Sequence, residues 1–380
     1  MNVAVVVPDP AIGPDVRYGD SVRLRLLAAA IESLGHQVQM LWAETAHGRP
    51  VAAARRLPVP DAVRPLLRDV RTLARARRYR RETSLSAPPD VVLEFASYLA
   101  PAGLRLARRL GVPYVVEVEG PLGDLRYEAG GSPLRRVGDR WLREQLRAAA
   151  SVLTVSRALA DHVVALGAAE STVVVAPNVA DTAVFAPSDV TRARARAELG
   201  IAAETFVVGF HGVFSPWYAL PTLVGAVSGQ PSESVCVLLV GDGVDRRAVE
   251  EAASASSARV IVTGLMPQDR AAELIQAADV GVVPDHAWWT SPLKLFEFGA
   301  LRKPVVAARV PSITAVAGED EVAMFDPADP TGLANLLREL ASDTPRRASL
   351  AEAWHARVLR DYTVPALRAN VAEALDRAVS

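Results

Sequence analysis

Lys294 and Glu297 sit one helical turn apart in a stretch whose pattern presents charge to a ligand. From Asp279 to Ala308 the chain reads as strand, polar loop, helix, turn and strand. VGVVP is apolar and β-branched, as a buried parallel strand is. The loop Asp285 to Ser291 is too polar and aromatic for core. Thr290 or Ser291 is placed to N-cap a helix whose first position is Pro292, where a missing N–H costs nothing. That helix, SPLKLFEFGAL, ends at Arg302-Lys303-Pro304 before a second buried strand, PVVAA. A helix start at the carboxyl end of a parallel sheet turns free N–H groups and a positive dipole end towards an anion. The amides of Leu293, Lys294 and Leu295 and the Lys294 ammonium are the expected anion ligands. Glu297, a turn further in, suits paired hydroxyls, such as those of a ribose, better than a phosphate.

A second carboxylate, Glu119, ends the strand VPYVVEVEG, where a ligand residue would stand. There it could bond a ligand hydroxyl, stabilise developing positive charge or take a proton from a substrate; a plain salt bridge is the competing reading. Glu117 projects to the same side, within reach of an Arg. Trp288 and Trp289 are adjacent in a loop and cannot both be core, so stacking on a ligand ring is favoured over a hydrophobic cap. His211 reads as a buried, hydrogen-bonded residue, and His286 shares its loop with Asp285. With no Asp-x-Asp and no clustered His and Asp, neither a metal nor a cofactor is expected.

The elements that must position these residues alternate strand and helix from the second residue on. NVAVVVP leads through a loop to the helix VRLRLLAAAIESLG, with Gly19 and Asp20 just before it. The absence of GxGxxG excludes a dinucleotide fingerprint there. At 380 residues two domains are expected. Half the chain is hydrophobic and the net charge is −1, which argues for a soluble globular protein and against an electrostatic grip on nucleic acid. One cysteine, Cys236, excludes an intramolecular disulfide and fits a reducing cytosol. MNVAVVVPDP lacks the form of a signal peptide, and no apolar run is long enough for a membrane helix, so a cytoplasmic location is expected. Residues 64–81 form a basic segment with helically spaced apolar positions. A solvated helix is favoured there over weak membrane-surface contact, because the apolar side lacks Trp and Phe. The Ala/Arg/Val-rich composition hints at a bacterial, high-GC genome.

SPLKLFEFGALRKPVVA resembles the donor-nucleotide motif of the retaining GT-B glycosyltransferases of family 4. The resemblance covers nearly the whole chain and is strongest from 205 to 345. It implies an α/β fold of two Rossmann-like doubly wound parallel-sheet domains facing a cleft. Residues 1–185, with a C-terminal helix of about 358–380, would form the N-terminal acceptor-binding domain, and 186–357 the C-terminal donor-binding domain. PNVADTAVFAP is similar to the family's interdomain crossing. The second Glu of the family's motif maps onto Glu297, implying a grip on the nucleotide ribose, and Trp289 stands where the first Glu would contact the transferred sugar. Gly212, with the turn through Ser215, corresponds to the diphosphate-binding turn. There the family's Arg and Lys are replaced by Val213 and Tyr218, leaving Lys294 and the amides around Pro292, Leu293 and Leu295 as substitutes. Gly264 and Leu265 correspond to the turn that packs on the base, and the Gly19–Asp20 loop to one that touches donor phosphate or acceptor. Glu119 takes the place of a His that lies under the sugar. The implied function is metal-independent transfer of a sugar from a UDP- or GDP-sugar to a small-molecule or glycan hydroxyl in natural-product or cell-envelope glycan synthesis. Two alternatives stay open: a catalytically silent GT-B binding partner, and a sugar-nucleotide epimerase or hydrolase on the same scaffold.

Overall fold

The computed structural model describes residues 1–9, 19–42, 66–67, 69–70, 72–74, 85–122, 133–229, 233–284, 287–329 and 331–380, with only the backbone at 19 and 20. The chain divides into two compact units. The first ends at Pro177 and includes Leu367–Ser380; the second runs Asn178–Ala366.

The first unit holds six strands: β1 (Asn2–Val7), β2 (Gln37–Trp42), β3 (Val91–Phe95), β4 (Tyr114–Val118), β5 (Ser151–Thr154) and β6 (Val173–Val175). They pair parallel in the order β2-β1-β3-β4-β5-β6. Their cores are unbroken apolar runs because helices cover both faces of such a sheet. Two charged residues interrupt them: Glu94 is bonded through both oxygens, and Glu117, among the described residues, through Oε1 alone. Glu94 accepts from Gly103 N (2.9 Å), Leu104 N (3.2 Å), the Tyr114 hydroxyl (2.6 Å) and Gln145 Nε2 (3.1 Å). It thereby fills the start of the helix Ala102–Leu110, and burial raises its pKa. Glu117 Oε1 accepts from Arg23 Nε at 2.7 Å, and the same guanidinium reaches the carbonyls of Ala176 (3.0 Å) and Pro177 (3.1 Å). One buried cation thus ties the helix Gly19–Ser33 to the ends of β4 and β6.

The second unit holds β7 (Phe206–Phe214), β8 (Val235–Gly243), β9 (Arg259–Val262), β10 (Val280–Val283), β11 (Val305–Ala308) and β12 (Ala323–Phe325). Their order is β12-β11-β10-β7-β8-β9, also parallel. The order reverses between β7 and β10, so a crevice opens at their carboxyl ends. At the opposite ends Asp279 pins the pair, accepting from Val207 N (2.8 Å), Arg192 (2.6 Å) and Arg196 (3.3 Å). Gly209 and Gly281 lie side by side in the two strands. A Cβ on Gly281 would come within 2.3 Å of the Phe298 ring, and one on Gly209 within 2.6 Å of Ala278 Cβ. The helix Leu293–Ala300 therefore rests its phenyl ring directly on the strand backbone.

The units part earlier than the expected residue 185. Ala180 N donates to Tyr362 O (3.0 Å) and Phe185 packs on His211 (5.8 Å), which places 178–185 with the second sheet. The helix Thr344–Asp361 stays in the second unit because Trp354, fully buried, bonds Leu295 O at 2.8 Å. Residues assigned to the first unit resume only at Leu367, rather than at about 358.

Candidate functional site

At the crevice between β7 and β10, the helix Leu293–Ala300 starts one residue later than its sequence suggests. Pro292 takes the N-cap position without a side-chain cap bond. The Ser291 hydroxyl is engaged elsewhere: it accepts from Asn178 N at 2.9 Å, while Asn178 Nδ2 donates to Ser291 O at 2.6 Å. Leu295 N bonds Pro292 O at 3.0 Å. This removes Leu295 from the expected anion ligands and leaves the amides of Leu293 and Lys294, which among the described residues bond no carbonyl.

Three of the expected residues converge here. Gly212, at the end of β7, has φ +126°, a conformation suited to glycine, and a Cβ there would lie 3.5 Å from Lys294 Cε. Lys294 Nζ lies over the Tyr218 ring, 3.8 Å from its centroid. Glu297, one turn on, is buried beside His211, with 3.4 Å between Oε2 and Nε2, and its Oε1 accepts from Gln268 Nε2 at 3.2 Å. Burial pushes the Glu297 carboxyl up to about 7 against the pull of Lys294 and Gln268. Burial, and next the Lys294 charge, pushes His211 down to about 3, so its imidazole is neutral. That ring sits against Phe185 and edge-on to Phe298 (5.1 Å). His211 is buried as expected, and its Nε2 makes no hydrogen bond among the described residues, with Glu297 Oε2 3.4 Å away.

The other expected residues lie on loops at the same carboxyl ends. Ser215 is buried and opens the turn Pro216–Tyr218 after β7. Gly264 (φ +82°) and the exposed Leu265 follow β9. Trp289 follows β10, half-buried and edge-on to Trp288 at 5.6 Å. Asp285 and His286 lie outside the described residues. In the first unit, Glu119 Oε1 lies 3.7 Å from Arg23 Nε, so one guanidinium serves both Glu117 and Glu119. Gly19 and Asp20 belong to the helix Gly19–Ser33 rather than the loop before it, and the Asp20 side chain lies outside the described residues. Of 64–81, only 66–67, 69–70 and 72–74 are described: they are helical, with Leu66 and Val70 exposed and Asp69 accepting from Leu134 N at 3.3 Å.

Sequence reasoning missed Gln268, Phe210 and the use of Tyr218. The only signal available was the aromatic at 218 in a place where a cation was expected.

Residues 19–179 match the family described as glycosyl transferase 4-like domain, and residues 205–343 match glycosyl transferases group 1. The chain belongs to the family 4 glycosyltransferases. Over 193 residues it is 36% identical to D-inositol 3-phosphate glycosyltransferase of Stackebrandtia nassauensis, a stretch covering 47% of this chain and 43% of that relative. The chain thus matches less than half the length of that curated relative. It superposes over 100% of both chains on sucrose-phosphate synthase from Thermosynechococcus elongatus, with TM-score 0.79 and 20% identity. On Anabaena HepE in complex with UDP and glucose the TM-score is 0.75 at 18% identity, over 99% of both chains. The fold of this family 4 member is GT-B.

Proposed function

We propose that the chain transfers a sugar from a nucleotide-diphosphate sugar to an acceptor hydroxyl with retention of configuration. The observation that carries this reading is the convergence of Gly212, Lys294 and Glu297 at the switch point of the second sheet. Donor binding belongs to the second unit. Lys294 and the amides of Leu293 and Lys294 meet the diphosphate, Glu297 accepts from the ribose hydroxyls, and the Gly264–Leu265 turn faces the base. Uracil, tested as UDP, is the first base to try, because HepE was crystallised with UDP and glucose. Acceptor binding belongs to the first unit, with Glu119 at the carboxyl end of β4 as the candidate sugar- or acceptor-facing carboxylate.

In the reaction the bond from sugar C1 to the β-phosphate oxygen breaks, and the acceptor oxygen joins C1 on the same face. The acceptor proton passes to the departing phosphate oxygen, whose charge Lys294 and the helix-start amides offset as it develops. The acceptor class is a small molecule or glycan hydroxyl, with a cytoplasmic location. A weak membrane-surface contact through 64–81 is the lesser reading beside a solvated helix, and the described part exposes Leu66 and Val70.

Titration calorimetry with UDP and GDP tests the donor assignment. Glu297→Ala should weaken nucleotide binding by about 10- to 100-fold, the cost of losing charge-assisted hydrogen bonds. Unchanged affinity would remove the ribose from Glu297. Radiolabelled sugar nucleotides then separate the activities: a transferase needs donor and acceptor, an epimerase converts donor alone, and a silent protein binds without turnover.

A further inference from the structure

Position 218 carries a ring where the family carries an ammonium, and the structure puts that ring to use. Lys294 Nζ stands 3.8 Å from the Tyr218 centroid and 5.0 Å from that of Phe210. The two rings meet edge-on at 5.3 Å, forming two walls of one seat. Phe210 is fully buried within β7, so its wall is fixed by the sheet. Tyr218 is held by the turn Pro216–Tyr218 and by Ala219, whose φ of +45° is a left-handed conformation that a non-glycine residue adopts only under constraint.

Lys294 is 6% exposed, and a buried ammonium requires compensation. A carboxylate partner would supply it but would cancel the charge. Ring faces attract the ammonium through their quadrupole and leave its net charge intact. Among the described residues no carboxylate bonds this ammonium, so the seat keeps a cation in place beside Gly212 and the helix-start amides.

We propose that Tyr218 and Phe210 are positioning residues, an aromatic seat that aims the Lys294 ammonium at the donor diphosphate. The proposal rests on the donor-site reading given above. It assigns position 218 a new way of serving the same phosphate: the residue carries no charge itself and steadies one supplied by the helix after β10.

The test compares Tyr218→Phe, Tyr218→Leu, Lys294→Met and the double variant Tyr218→Leu/Lys294→Met, after circular dichroism confirms that each folds. The first readout needs no ligand: the Lys294 Cε–Hε cross-peak in NMR spectra, assigned by its loss in Lys294→Met. The ring current should move it upfield in the unmodified protein and in Tyr218→Phe, and Tyr218→Leu should return much of that shift. The second readout is the affinity for UDP, for uridine and for inorganic pyrophosphate. Tyr218→Leu should weaken UDP and pyrophosphate about three- to thirtyfold and leave uridine unchanged, as loss of a partly desolvated cation–π contact predicts. Tyr218→Phe should stay within about twofold of the unmodified protein. Added to Lys294→Met, Tyr218→Leu should cost nothing further. An unshifted Lys294 signal, equal losses for UDP and uridine, or additive losses in the double variant would each overturn the seat. If pyrophosphate binding depends on Tyr218 while no nucleotide binds, the seat stands and the nucleotide reading falls.

Discussion

Burial acts on Glu297 and His211 with opposite signs. Folding lifts the Glu297 carboxyl from 4.5 to about 7, so between those values the folded chain holds a proton the unfolded chain has released. Stability from this group falls as pH rises through that window. Folding lowers His211 from 6.5 to about 3, so the unfolded chain holds the extra proton there and stability from this group rises with pH. Where the windows overlap, from 4.5 to 6.5, the slopes oppose each other, each worth about 1.4 kcal/mol per pH unit at full effect. Denaturant titrations should show Glu297→Gln unmasking a rise in stability with pH over that range, and His211→Gln unmasking a fall. Parallel slopes in the two variants would contradict the assignment. Ligand binding adds a further expectation: an ionised Glu297 accepts two ribose hydroxyls, so UDP affinity should climb between pH 6 and 8 and lose that climb in Glu297→Gln. Lys294 and Glu297 were legible in the sequence because one helix sets their spacing. Gln268 lies 29 residues from Glu297, and the Arg23–Glu117 bond spans 94. No local periodicity encodes such partners, and the Lys294 perch on Tyr218 is likewise a tertiary contact.

Among the elements, the helix Leu293–Ala300 is placed by what its neighbours lack. Gly281→Ala would push a methyl group into the Phe298 ring and lift the helix start off the strand pair. The expected cost is about 1–3 kcal/mol, read as a lower Tm, with weaker UDP binding. Phe298→Leu in the same chain should recover part of both. A normal Tm in Gly281→Ala would show that the ring has room to slide. The alternation of strand and helix could be read directly, since buried parallel strands are continuous apolar runs. The cap could not, because local sequence offers Ser291 to its own helix while the fold gives its hydroxyl to Asn178. Arg23 holds the ends of β4 and β6 in the same long-range way. Arg23→Met should cost roughly 3–5 kcal/mol by stranding buried Glu117, whereas replacing Arg23 and Glu117 together by apolar residues should cost less.

The molecule as a whole is two units that are discontinuous in sequence, since Leu367–Ser380 groups with residues from the first half of the chain. That segment buries Leu367, Val371 and Leu375, and Arg377 donates to Ser171 O at 2.6 Å beside β6. Removing residues 367–380 should destabilise the first unit selectively, giving an early unfolding transition, while UDP still stabilises the second. A single unshifted transition would contradict this. The same discontinuity sets an order of events on the ribosome. After Pro177 is made, roughly 190 further residues precede the final helix, about 10–40 s of translation at ordinary speeds. Throughout that interval the nascent first unit lacks the segment that carries Leu367, Val371, Leu375 and the Arg377 bond to Ser171, which arrives only after the younger half of the protein has had time to fold.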